Sequence, residues 1–282
     1  MRSPAIASWF LTLFALCGAC GQSGAPNARA KVLNEHAPRV EKFVLDLMAR
    51  HNTGITHAAD RIGAGFVKAE PTQLEHEMRQ VLKLIRSPKR GVPELVISPM
   101  SFIAVVGKDG TCIARDIDPE KDKMKGMELS KLFPVVADAL NGKVGTSIGE
   151  FESEEPGKPS VTILMAAPAH YKGEVVGALV LGIPLWRLQQ VITKQLQMEV
   201  GGKESVVLWV YVYRGSELHR HGTPPDLDKL IPDDTARKAG LARSPGGFTG
   251  EVQQYAYWYG YGVRPLRVFG PDIGVIIVRM EQ

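Results

Sequence analysis

Phe102-Ile-Ala-Val-Val-Gly-Lys-Asp-Gly-Thr-Cys-Ile-Ala-Arg-Asp116 is the stretch on which the fold turns. Phe102–Gly107 is a short apolar run, Lys108-Asp-Gly110 turns, and Thr111–Asp116 runs on. Asp-Gly between two such runs signals a β-hairpin, because the tight turn needs positive φ and Gly adopts it without a steric cost. The hydrophobic period changes here. Helical spacing dominates before the hairpin, and strands dominate after it.

Downstream, Gly126–Gly142 predicts a helix with Leu129, Leu132, Val136 and Leu140 on one face and Pro134 inside it. Gly145–Glu152 predicts a strand and Glu154–Lys158 a polar turn. Ser160–Ala169 and Glu174–Ile183 predict two more strands around Tyr171-Lys-Gly173, and Trp186–Met198 returns to helical spacing. The order is hairpin, helix, three-strand meander, helix. The remainder repeats it. Ser205–Tyr213 and Ser216–His221 flank Arg214-Gly215, and Asp226–Leu241 is weakly helical. Gly247–Trp258, Tyr259–Phe269 and Ile273–Met280 then read as strands.

Upstream, Val40, Phe43, Val44, Leu47 and Met48 fall at i, i+3, i+4, i+7 and i+8, the spacing of one apolar helix face. Asn52-Thr53-Gly54 is a weak break, and Ile55, Ala59, Ile62 and Phe66 continue the stripe. Pro71 interrupts, with Thr72-x-x-Glu75 behind it as a capping box. Leu74, Met78, Val81, Leu82 and Ile85 form another stripe. Residues 37 to 85 thus read as one long broken helix or two to three packed helices. Pro and Gly between Ser87 and Pro99 mark a loop. The fold class is α+β: a long N-terminal helical region, then antiparallel sheet with helices, in two lobes. The expected divisions are a helical region over 31–99, a first lobe over 100–199 and a smaller second lobe over 200–282.

The N-terminus reads separately. Arg2 precedes the apolar run Ile6–Leu16, and small residues precede Cys20. This is the layout of a secretory signal peptide over residues 1–19. Eleven residues at about 1.5 Å each are too short to span a ~30 Å hydrocarbon core. The segment resembles a bacterial lipoprotein signal, which implies lipidation of Cys20, although Cys17 stands where that motif usually has Leu. Gly21–Ala30 is small and polar and reads as a flexible tether. The expected location is the cell envelope, periplasm-facing, on a lipid anchor.

Hydrophobic residues at 44% and charged residues at 23% are globular values. A net charge of +4, with basic and acidic residues interspersed, gives no electrostatic footprint for nucleic acid. Two of the three Cys lie in the signal region, leaving Cys112 without an intramolecular partner in a mature chain.

Seven phrases occur in a fixed order: Phe102–Gly110 (FIAVVGKDG), Gly126–Ser130 (GMELS), Ala139–Lys143 (ALNGK), Gly145–Phe151 (GTSIGEF), Ala166-Ala-Pro168, Lys172–Gly177 (KGEVVG) and Val180–Ile183 (VLGI). Together they resemble the Cache family, the PAS-like extracytoplasmic sensor domains of bacterial receptors. The likeness covers residues 100 to 185 and the preceding helix. Residues 205 to 280 match a second, membrane-proximal lobe less specifically. Lys108 departs from the Asp or Asn common at that turn, and the Arg-x-x-Trp-Tyr type of amino-acid signature is absent. The resemblance implies a small-molecule sensor without naming the ligand, which a carboxylate or amino acid would fit. Receptors of the family continue into a membrane helix and an output module. Here Gln282 follows the last strand, so the expectation is a module without its own output, signalling through an envelope partner. The alternative is a structural or interaction lipoprotein that keeps the fold without a ligand.

The candidate ligand contacts are Arg115, Ser147, Thr162 and His170, near sheet ends or facing helices. Arg115 suits a carboxylate, because its planar fork pairs bidentately. The ordinary alternative for it is a salt bridge with Asp116 or Asp118. No cofactor and no metal are expected. His219-Arg-His221 comes nearest to a metal set, since i and i+2 share a strand face and Asp226 or Asp228 lies close. The ordinary reading is two exposed strand-end histidines. Glu150, Glu152, Glu154 and Glu155 read as a solvated hairpin end. Tyr255, Tyr257, Tyr259 and Tyr261 share one strand face, as cross-strand packing or as the lining of a groove. No nucleophile with its base, phosphate loop or zincin motif occurs, so no enzymatic activity is expected.

Overall fold

The structure, a computed structural model, describes residues 29, 31–152, 159–200, 206–254 and 257–281. The signal-peptide and Cys20 readings, Glu154, Glu155 and Tyr255 lie outside the described residues. A π-helical turn over Val32–His36 leads into helix α1 (Ala37–Lys68). Helices α2 (Leu74–Ile85) and α3 (Pro93–Val96) follow. The first sheet contains β1 (Phe102–Gly107), β2 (Cys112–Arg115), β3 (Gly145–Glu152), β4 (Pro159–Tyr171) and β5 (Glu174–Pro184), in the order β2-β1-β5-β4-β3. Helices α4 (Leu129–Leu132) and α5 (Pro134–Leu140) lie between β2 and β3. Helix α6 (Leu185–Val200) crosses to the second sheet. That sheet holds β6 (Val206–Arg214), β7 (Glu217–His219), β8 (Phe248–Gln254), β9 (Tyr257–Pro265) and β10 (Ile273–Glu281), in the order β7-β6-β10-β9-β8. A 3-10 turn (Pro225–Leu230) and helix α7 (Asp234–Arg243) cover it. All neighbouring strands are antiparallel.

The same topology thus occurs twice. One core joins both copies. Val40, Val44, Leu47, Ile55, Ala59 and Ile62 of α1 share a buried cluster with Ile163 and Met165 of β4, Leu179 of β5, Val210 of β6 and Val275 of β10. The helix rises about 48 Å at 1.5 Å per residue, enough to lie across both sheets. It runs straight through Asn52-Thr53-Gly54, where the sequence suggests a break. Gly54 is there for close approach: a Cβ on it would lie 2.7 Å from the Glu94 Cβ of α3. Gly63 is tighter still, since an added Cβ would lie 1.9 Å from the His170 carbonyl oxygen of β4.

Several expectations change in detail. The Thr72–Glu75 capping box does not form. Gln73 precedes α2 without a side-chain cap, and Glu75 instead accepts from Arg79. The predicted Gly126–Gly142 helix is split at Phe133, because Pro134 has no N–H to extend α4 and starts α5 as its first residue. The β8–β9 boundary falls between Gln254 and Tyr257, not after Trp258. The Asp109-Gly110 hairpin forms as read. Gly110 has φ +84, and a Cβ there would lie 1.8 Å from Ser130 Oγ.

The two ends of the described chain meet in a buried polar pair. Arg279 of β10 is 1% exposed, and its Nη1 donates to Nε2 of the fully buried His36 at 2.8 Å. Burial, then the Arg279, Arg39 and Lys31 charges, lower the His36 pKa to about 4, with Glu199 opposing. An unfolded histidine titrates near 6.5. Between those values the unfolded chain binds more protons, so stability is complete above pH 6.5 and falls as pH drops toward 4. Burial shifts His51 in the same direction. Denaturant titrations should therefore show a loss on the order of 2 kcal/mol for His36 between pH 7 and pH 5. His36→Gln, which keeps an acceptor for Arg279, should remove most of that slope. An unchanged slope in the variant contradicts the assignment.

Candidate functional site

The first sheet has two different faces. Val161, Ile163, Met165, Ala167 and Ala169 of β4 face α1. The alternate residues Leu164 and Ala166 face α4 and α5, together with Phe102, Ala104 and Val106 of β1 and Ala178 and Val180 of β5. Directly paired residues of antiparallel strands share a face. Arg115 pairs with Ala104, Ser147 with Leu164, and Thr162 with Gly149. Arg115, Ser147 and Thr162 therefore lie on the face roofed by α4 and α5.

They do not converge on one point. Arg115 is on the edge strand β2 and Ser147 on the opposite edge strand β3. Four interstrand steps of about 4.8 Å separate them by roughly 19 Å. His170 is exposed at the outer end of β4, about 26 Å along that strand from Thr162 at 3.3 Å per residue. Thr162 Oγ1 donates to Ser160 O, and Ser147 Oγ is buried without a partner. Between the edges the face is aromatic. Phe102 meets Phe151 edge-on at 5.3 Å between centroids, and Phe151 stacks on Phe133 at 4.9 Å. Glycines admit these rings. A Cβ on Gly182 would lie 2.2 Å from Phe102, and one on Gly149 would lie 2.7 Å from Phe133.

Arg115 already holds a carboxylate, and its partner is neither Asp116 nor Asp118. Asp116 accepts from Arg86 and from Ile103 N, and Asp118 accepts from Glu120 N. The partner is Asp122, whose side chain is fully buried. Asp122 accepts from Arg115 Nε at 2.7 Å, Arg115 N at 3.0 Å, Arg79 Nη2 at 3.0 Å and Met124 N at 3.2 Å. Arg79 Nη1 donates to the Arg115 and Ile117 carbonyls, which ties α2 to β2. Burial pushes the Asp122 pKa up. The Arg115 and Arg79 guanidiniums outweigh it and hold the carboxyl below its ordinary range. The sequence reading missed Arg79 and Asp122. A charged helix residue beside an apolar stripe and an acid within a charged loop give no local sign that they meet.

The other constellations resolve into packing. His221 leaves the strand, its ring lies tilted against Trp186 with 5.6 Å between centroids, and its backbone N–H donates to Gln189 Oε1. His219 stays on β7, with Nε2 at 3.8 Å from Glu217. The two imidazoles are not a pair, and no group of three or more His, Cys, Asp or Glu that could hold a metal occurs among the described residues. Tyr259 is buried beside Trp209, and Tyr261 meets Phe248 edge-on. Glu150 pairs with Arg214. Burial, reinforced by Asp122, pushes the Cys112 thiol up to about 12, so it is not a thiolate nucleophile. Among the described residues no helix is long and apolar enough to cross a membrane.

Solved structures share this arrangement. The sensor domain of the Vibrio cholerae histidine kinase DctB is similar over 89% of this chain and 97% of its own, with TM-score 0.54 and 12% identity. The ligand-binding domain of the Campylobacter jejuni chemoreceptor Tlp3, in complex with 4-methylisoleucine, is similar over 90% of this chain and 91% of its own. Its TM-score is 0.56 and its identity 10%. No family model and no curated protein matches the sequence. The likeness is therefore one of fold, the two-lobed PAS-like fold of Cache-type sensor domains.

Replacing Asp122 by Ala would leave the partly buried Arg115 without its ion pair and the buried Arg79 with Glu75 alone. Unfolding measurements should show a loss of about 3–5 kcal/mol. Ser147→Ala removes a hydroxyl that has no partner and should change stability by less than about 1 kcal/mol.

Proposed function

We propose that this chain is an extracytoplasmic small-molecule sensor module, held to the envelope by lipid on Cys20 and signalling through a partner protein. The observation that carries the reading is the twofold hairpin–helix–meander topology on one shared helix, the architecture of the DctB and Tlp3 sensor domains. The proposed ligand face is the side of the first sheet under α4 and α5. Arg115 is its proposed anchor, with Asp122 occupying the fork in the ligand's absence. Ser147, Thr162 and His170 are proposed contacts further along the sheet. Small carboxylates and amino acids are the class that a freed guanidinium fork would take.

A second reading has a specific observation behind it. The Phe102–Phe151–Phe133 cluster fills the middle of that face, and Asp122 satisfies Arg115 internally. This favours an envelope lipoprotein that uses the fold for interaction without a ligand.

Thermal unfolding across amino acids, carboxylates, amines and nucleobases separates the two. A ligand at 100 times its dissociation constant should add about 2.7 kcal/mol of stability. Under the sensor reading at least one compound does so, and Arg115→Lys, which loses the bidentate fork, weakens the response. Flat melting throughout supports the second reading. Mass spectrometry of Cys20 from the native envelope should show an acylated residue, and Cys20→Ser should move the protein to the soluble fraction.

A further inference from the structure

Helix α1 and the connection from β9 to β10 enclose a cavity of about 190 Å³. Its walls are of two kinds. Val44 and Leu45 of α1 face Leu266 and Val268 of the connection, and Arg264 and Arg267 supply two guanidiniums. Leu45 and Val268 are 49% and 47% exposed, so apolar surface lines the mouth as well as the floor. The charges do not cancel. Glu41 is the lining carboxylate, and it pairs with Arg264. The Arg267 Nη2 donates to Pro245 O, and Arg267 makes no ion pair among the described residues. One positive charge is left at an apolar cavity.

We infer that this groove is a binding site for a small monoanion with an aliphatic tail, a short-chain carboxylate. Arg267 presents its planar fork to the carboxylate, and the apolar walls take the tail. The size fits. An apolar cavity of about 150 Å³ accepts benzene, with six non-hydrogen atoms, and hexanoate has eight. The single unpaired guanidinium calls for a monoanion rather than a dianion, and a planar fork pairs best with a carboxylate. The groove lies on the second lobe and α1, away from Arg115 and its face. It is an addition to the function proposed above and stands whether or not the first-lobe face takes a ligand.

The test is calorimetric titration and thermal unfolding of the full chain with hexanoate. Hexanol and hexylammonium serve as neutral and cationic controls, and dihexanoylphosphatidylglycerol as the anionic-lipid alternative. Saturable binding of hexanoate with a rise in melting temperature is expected, with neither from hexanol or hexylammonium. Arg267→Gln should weaken hexanoate at least roughly tenfold while leaving the ligand-free melting temperature in place, because Arg267 sits on an exposed turn. Leu45→Glu, at a half-exposed helix position, should abolish binding by charge and lost apolar wall. Arg115→Lys should leave hexanoate binding intact, which separates this site from the first-lobe face. The inference is overturned if hexanoate does not bind, if Arg267→Gln and Leu45→Glu both bind as the parent does, or if only the phospholipid binds.

Discussion

Burial of one face of a 32-residue helix against two sheets is the constraint on which the molecule depends. Neither sheet closes its own core on that side. The inner faces of β4 and β5 pack directly on α1, and the second sheet is covered by α6 and by the π-helical turn that leads into α1, all within one buried cluster. The requirement explains the small residues on α1. Gly54, Ala58, Ala59 and Gly63 are all buried, and at Gly54 and Gly63 even one methyl group would collide with α3 or β4. A helix with larger residues there would stand off the first sheet and lose contact along its whole length, because interiors are close-packed and do not absorb a methyl freely.

With α1 fixing the rear of both sheets, variation falls on the other faces. In the first lobe that face combines an aromatic cluster with an ionic node. The cluster is possible because Gly149 and Gly182 lower the sheet surface beneath Phe133 and Phe102. The node is possible because one carboxylate, Asp122, receives two guanidiniums and two backbone N–H groups. Buried charges survive only where such compensation is complete. The node also fixes the segment between β2 and α4, which has little regular structure of its own. In the second lobe the corresponding face carries Tyr211, Tyr213, Tyr259 and Tyr261. Arg237 lies over the Tyr213 ring at 4.9 Å and donates to the Pro232 and Gly215 carbonyls, holding α7 down on the sheet.

Much of this was legible in the chain. The helical stripe from Val40 to Ile62, the Asp109-Gly110 and Lys172-Gly173 turns and the repeated element order all appear in the structure. They are local signals, set by side-chain period and by backbone sterics within a few residues. The arrangement of the proposed contact residues was legible only in part. Ser147, Thr162 and Arg115 do share one face, as strand alternation requires, but their separation across the sheet depends on the order β2-β1-β5-β4-β3. That order places β5 between β1 and β4, and adjacency in sequence does not reveal it.

The sequence by itself determined the α+β class, the hairpin–helix–meander repeat and the residues that face inward, because periodicity and turn chemistry act over short range. Tertiary structure alone decided which distant groups meet. Arg79 is 43 positions from Asp122, Arg264 is 223 from Glu41, and Arg279 is 243 from His36. Each pair exists because the N-terminal helical region packs against segments that come much later in the chain: α2 against the loop after β2, α1 against β9, and the π-helical turn against β10. Electrostatic partnership depends on distance in space and on exclusion of water, and neither is encoded in the spacing of residues along the sequence.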